Sequence, residues 1–150
     1  ALIARAMGRL ELAHEMLTAA LKIEPENFEV LANIGRVSLQ NKQPANAERY
    51  LRKALEKQPA DLNLGLSLGK ALHQQGRHDE ARDVLQKFLE RDNGNYDLLY
   101  NLGLVSIDDQ SFDQAEDYLR RAHKAKPGEP EALDKITELN SLRAASNQPT

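Results

Sequence analysis

Apolar and small residues return along this chain with a period of 34 residues. Gly35, Gly69 and Gly103 are evenly spaced, and Ile34, Leu68 and Leu102 precede them. Ala13, Ala47, Ala81 and Ala115 form a second series, and Leu17, Leu51, Leu85 and Leu119 a third. Pro25, Pro59 and Pro127 lie on a fourth, with Asn93 in the missing place, and Asn27, Asp61 and Asn95 on a fifth. Interleaved series at one period mark a repeat architecture built from one supersecondary unit.

Within one unit, Leu31, Ile34 and Val37 fall at helical spacing. Asn27 precedes them as an N-cap, its side-chain oxygen available to a free backbone N–H. Asn41-Lys42-Gln43 interrupts the pattern, and Pro44 suits the first turn of a second helix. That helix puts Ala47, Tyr50, Leu51, Ala54 and Leu55 on one face, and Pro59 stops it. The unit is a helical hairpin. A lone hairpin cannot bury its apolar side, so neighbours must stack. The same reading predicts helices over 62–75 and 78–92, with Gly76 left-handed at the turn, then 96–109, 112–126 and 130–143. By phase, residues 1–6 end a first helix, Met7-Gly8 turns, and 9–23 is the partner helix. Nine helical segments are expected.

The pattern resembles the tetratricopeptide repeat family, whose units carry a large apolar residue, a Leu-Gly pair, an aromatic, then Ala, a large apolar residue, Ala and Pro. Leu31, Ile34-Gly35, Ala47, Leu51, Ala54 and Pro59 match. So do Leu68-Gly69, Ala81 and Leu85, and then Leu99, Leu102-Gly103, Ala115, Leu119, Ala122 and Pro127. Ser38, Leu72 and Ser106 replace the aromatic of the first helix, Gly65 stands in place of a bulky residue, and Phe88 in place of Ala. The resemblance implies an all-α fold, a right-handed α-solenoid of helix-turn-helix repeats with a C-terminal capping helix. The expected domain is 1–143, with a partial repeat 1–27, repeats 28–61, 62–95 and 96–129, and the cap 130–143. Residues 144–150 are expected to be a flexible tail. By phase the chain begins inside a repeat, as a fragment of a longer array would.

Composition narrows the function. A hydrophobic content of 41% with 29% charged residues fits a globular chain rather than a disordered one. No apolar run reaches the roughly 18 residues of a spanning helix, so no membrane insertion is expected. A net charge of -3 argues against nucleic-acid binding through phosphates. The absence of Cys excludes disulfides, thiolate metal sites and a Cys nucleophile, while leaving the compartment open between cytoplasm, toward which the reading leans, and periplasm. No signal or transit segment is visible.

Catalytic constellations are not apparent. His14-Glu15 begins like a zinc-protease HExxH helix, but position 18 is Thr18. His73 and His78 straddle a turn, and His123 takes a position held by leucine in other units. Asp108, Asp109 and Asp113 do not have the spacing of a calcium loop. The expectation is a chain that is not an enzyme and has no cofactor, metal or catalytic residues.

What the family resemblance implies is a concave groove lined by the first helices of successive repeats. Carried onto this sequence, its partner-binding residues are Arg5, Asn33, Arg36, Gln40, Asn63, Ser67, Lys70, His73, Tyr100, Asn101 and Leu104. Ala32 is among the other positions that the resemblance turns toward the groove. Arg5, Arg36 and Lys70 place cations toward the N-terminal part, and Tyr100, Leu104 and Ile107 an apolar patch toward the other end. Ala32, Ser67 and Asp97 break the residue set with which some family members clamp a C-terminal carboxylate, so a chaperone-tail receptor is not expected. The leading expectation is a protein-interaction adaptor that binds a peptide or helix of a partner and assists complex assembly, by analogy in bacterial pilus, secretion or envelope machinery. Alternatives are a regulatory or targeting module of a larger enzyme, and a self-assembling repeat module. Self-association is expected through the N-terminal end, where Leu2 and Ile3 lack part of their partner.

Overall fold

The computed structural model describes residues 2–146, with side chains from Arg5 on. Among these residues there are eight helices and no strand: α1 (Leu2–Ile23), α2 (Phe28–Gln40), α3 (Pro44–Lys57), α4 (Leu62–Gln74), α5 (His78–Leu89), α6 (Tyr96–Asp108), α7 (Phe112–Ala125) and α8 (Glu131–Ser146). They divide into two compact units, one ending at Arg77 and holding α1 to α4, the other beginning at His78 and holding α5 to α8.

Local chemistry sets the ends of the first helices. Asn27, Asp61 and Asn95 each accept from the backbone N–H three residues on, at 3.0–3.1 Å. This satisfies one donor that helix geometry leaves free. At the other end, Lys42, Gly76 and Gln110 take left-handed φ values of 58°, 75° and 61°. The next residue in each case donates back to Ser38, Leu72 or Ser106 at 2.8–3.1 Å, and the left-handed residue itself to Leu39, His73 or Ile107. This is the Schellman closure of a helix. Gly76 adopts it without steric cost, whereas Lys42 and Gln110 hold it against their side chains.

In the first unit, α2 packs against α3, and α4 touches both. Leu31, Ile34, Leu51, Leu72 and Ala54 are wholly buried there. A Cβ added to Gly35 would come within 2.8 Å of the Leu51 side chain, so α2 and α3 approach as closely as they do only because position 35 has no side chain. The second unit repeats the device: a Cβ at Gly103 would lie 2.6 Å from the buried Leu119. Beyond α7, Ala132, Ile136 and Leu139 of α8 close the core, while Leu133 and Leu142 remain exposed.

Two boundaries differ from the sequence-based expectation. No turn forms at Met7-Gly8, and α1 runs unbroken through both residues, so there are eight helices rather than nine. Gly8 occupies the register of the left-handed Lys42, Gly76 and Gln110, yet it stays helical. Carrying α1 through Gly8 costs about 1 kcal/mol relative to Ala. At the other end, α8 continues through Ala144, Ala145 and Ser146, which were expected to fray. Residues 147–150 and the Leu2 and Ile3 side chains, on which the expected tail and N-terminal self-association rest, lie outside what is described.

Candidate functional site

The positions singled out from the sequence fall on α1, α2 and α4 in the first unit and on α6 in the second. On α2, Asn33, Arg36 and Gln40 are exposed and recur every three or four residues, so they share one face. Arg36 donates to the Asn33 side-chain oxygen at 2.5 Å, which orients the guanidinium along the helix. On α4, Asn63 is exposed, and Ser67, Lys70 and His73 are half-buried on the corresponding face. Because α4 touches α2, these two sets lie on neighbouring helices of one unit. Arg5 is exposed on α1. Ala32, by contrast, is buried and belongs to the core.

In the second unit the polar and apolar roles are divided differently. Tyr100 is half-buried and stacks on Tyr96, with centroids 5.8 Å apart and planes 7° from parallel. Lys126 stands 5.6 Å over the Tyr96 ring. Leu104 is half-buried one turn on from Tyr100. Asn101 is 8% exposed, and its amide nitrogen donates to the Asp97 carbonyl at 2.7 Å. One of its two N–H donors therefore serves α6 itself, and what Asn101 can offer a partner is the other N–H and its side-chain oxygen.

An open groove of about 470 Å³ lies between α1 and α2. It gathers three of the sequence-derived residues, Asn33, Arg36 and Gln40, with Ala13, Met16 and Leu17 of α1 and Val37 of α2. Sequence reasoning set Ala13 and Leu17 in the periodic series and Val37 at helical spacing, and gave Met16 no role. In the structure the first three are half-buried and Met16 is 66% exposed. The signal was in the hydrophobic pattern: Leu12, Met16 and Ile23 are large apolar residues off the inward face of α1. A second recess, of about 360 Å³ beside Phe112, is electrostatically closed, because Arg143 pairs there with Asp113 and Glu116 at 2.9 Å each.

Sequence reasoning also missed a polar ladder. Glu48 holds Gln75 at 3.1 Å and Arg77 at 2.5 Å within the first unit. In the second unit, Arg82 bonds Asp109, and Glu116 bonds Arg143 at 2.9 Å. Glu48, Arg82 and Glu116 share one register of the period, and Gln75, Asp109 and Arg143 another. The hydrogen bond from Arg82 holds the Asp109 carboxyl below the usual range. Burial pushes Glu48 upward, but its bonds to Arg52, Gln75 and Arg77 together outweigh burial and hold it low. Among the described residues, no group of three acidic, His or Cys side chains could hold a metal ion, and no helix is long and apolar enough to cross a membrane.

Comparison with known proteins places these features. One tetratricopeptide repeat family model matches residues 4–61 and again 38–93, and a second matches 66–130. No curated protein sequence matches. Among solved structures, the crystal structure of MamA protein aligns with a TM-score of 0.78 at 26% identity, over 94% of this chain and 79% of that one. YrrB, described as a TPR protein with an unusual peptide-binding site, aligns at 0.82 and 27%, over 87% and 67%. The first TPR of Spaghetti (RPAP3), solved with an HSP90 peptide, aligns at 0.72 and 14%, over 78% and 93%, a likeness of fold alone. With its periodic glycines packed against leucines, its capped helical hairpins and these matches, the chain belongs to the tetratricopeptide repeat family and has its all-α solenoid fold.

Proposed function

We propose that this chain is a non-catalytic interaction scaffold that binds a peptide segment or helix of a partner protein and so helps assemble a multiprotein complex. The observation that carries the reading is the pair of neighbouring faces on α2 and α4. There Asn33, Arg36, Gln40, Asn63, Ser67, Lys70 and His73 present amides, hydroxyl, imidazole and cations from helices fixed by a buried core. Amide side chains can both donate to and accept from a peptide backbone. Arg36 and Lys70 favour an acidic segment. On α6, Tyr100 and Leu104 offer apolar surface of the kind that anchors a side chain. The description of YrrB as having a peptide-binding site supports the reading at the level of the family.

The test is the double variant Arg36→Glu, Lys70→Glu, measured against acidic peptides selected for binding to the unmodified chain. Charges at such positions set complementarity and association rate more than stability. Affinity should fall at least about tenfold while helicity and melting temperature stay close to the parent values. Unchanged affinity would remove these faces as the binding site.

A further inference from the structure

The loops that lead from one hairpin into the next close with the same turn. The N–H groups of Asn27, Asp61, Asn95 and Glu129 each donate to the carbonyl three residues back, at 3.1–3.2 Å. The second residue of that turn is Pro25, Pro59 and Pro127 in three loops and Asn93 in the fourth. Proline suits the place because its φ is already fixed near the value the turn needs. Asn93 gives up that restraint and is followed by Gly94, the one Asn-Gly pair in the sequence. Both residues are exposed. Neither the Asn93 side chain nor the Gly94 N–H has a hydrogen-bond partner among the described residues. A Cβ added to Gly94 would have nothing within 4 Å, so the space around this peptide bond is open. Other turn asparagines are held in place. The oxygens of Asn27 and Asn95 accept from the N–H three residues on, and the nitrogen that follows Asn41 donates to Leu39 at 3.2 Å.

We propose that Asn93 is a site of spontaneous covalent modification, at which the Gly94 nitrogen closes a ring on the Asn93 side chain and the amide becomes an acid. Hydroxide takes the proton from the Gly94 N–H. The nitrogen attacks Asn93 Cγ, a C–N bond forms, and the Cγ–Nδ2 bond breaks with loss of ammonia. The product is a cyclic succinimide. Water then adds to either ring carbonyl and leaves aspartate or isoaspartate at position 93. Gly94 makes the step accessible, because without a side chain its backbone reaches conformations that hinder a larger residue. Both products place a new negative charge beside Asp92. Isoaspartate also inserts a carbon into the main chain within the turn. That turn positions Asn95, whose side chain caps α6 by accepting from the Leu98 N–H at 3.0 Å. The modification therefore loosens the start of α6, the helix that carries Tyr100 and Leu104, and does so with the age of the molecule. It stands on the loop alone and not on the binding faces proposed above.

The full chain is incubated at neutral and mildly alkaline pH, sampled over weeks and digested with trypsin. The peptide 92–120 carries Asn93 together with Asn95 and Asn101, which serve as internal controls. Its mass should rise by the amide-to-acid difference at Asn93 alone, and an isoaspartyl methyltransferase reads the isoaspartate fraction. The rate should increase with pH, because the attacking nitrogen must first lose its proton. Conversion should be lost in Asn93→Pro, which restores the residue of the other three turns, and in Asn93→Gln, whose longer side chain disfavours the ring. In backbone NMR of the aged chain the Leu98 N–H should shift. Asn93→Asp, with the charge but not the extra carbon, should leave it nearer its parent position. The proposal is overturned if Asn93 stays intact, if Asn95 or Asn101 converts as fast, or if Gly94→Val converts at the parent rate. A sample rich in isoaspartate with an unmoved Leu98 signal would overturn the link to α6.

Discussion

Ser38 and Ser106 are fully buried, and neither hydroxyl has a hydrogen-bond partner among the described residues. An unpaired buried hydroxyl costs about 1–3 kcal/mol in desolvation. Alanine is close in size and carries no such group. Ser38→Ala and Ser106→Ala should therefore each raise stability, by roughly 0.5–1 kcal/mol in chemical denaturation; a loss of stability in both would show that the hydroxyls are paired in solution. The glycines separate just as clearly. Gly103→Ala should cost about 1–3 kcal/mol, because Leu119 has no room to move. Gly8 has nothing within 4 Å of an added Cβ, and it is helical, so Gly8→Ala should gain up to about 1 kcal/mol. A loss at position 8 would mean that the chain turns there.

At the scale of elements, the polar ladder ties α3, α5 and α7 each to the C-terminal end of the next helix in the chain. Asp109 and Glu48 both have carboxyls held below their ordinary range. Glu116 does too, through Arg120 first and Arg143 after it. A carboxyl with a lower pKa folded than unfolded contributes stability that is present above the unfolded value, about 4, and lost as pH falls through the folded one. Melting temperature should thus drop as pH is lowered from about 6 to about 3. In Asp109→Asn it should start lower at the upper end of that range and drop by less; an unchanged drop would show that the Arg82 pairing carries no acid sensitivity. The ladder was open to view in the sequence, since its partners stand 27 residues apart in each case. It went unread because the residue types change from rung to rung: Glu, Arg, Glu on one side and Gln, Asp, Arg on the other. A search for repeated residues finds leucines and glycines, whose packing role is the same in every copy, and passes over pairs whose sign alternates.

For the molecule as a whole, the fold was legible because burial has one solution per period. Leu31, Gly35 and Leu51, and again Leu99, Gly103 and Leu119, must meet within a hairpin, and the structure buries them as the pattern requires. The start of α1 was not legible from phase alone. Gly8 has the sequence of a turn, but a turn persists only where a second helix rewards it with packing. The candidate site was legible as a set of helix positions, less so as a set of available groups. Ala32 is drawn into the core, and one of the two Asn101 donors is taken by its own helix. The groove between α1 and α2 is a matter of burial, which no residue identity reveals.

The alternation of the ladder has a consequence for copy number. Excising residues 62–95 would bring Glu48 into the register that faces Asp109, and excising 96–129 would bring Arg82 to face Arg143. Either deletion keeps every leucine and glycine in phase while setting like charge against like. The shared apolar period stays in phase when a unit is dropped, duplicated or exchanged. The polar rungs make each junction distinct, so that this array carries a syntax: its units share one apolar period and are not interchangeable in the order they take.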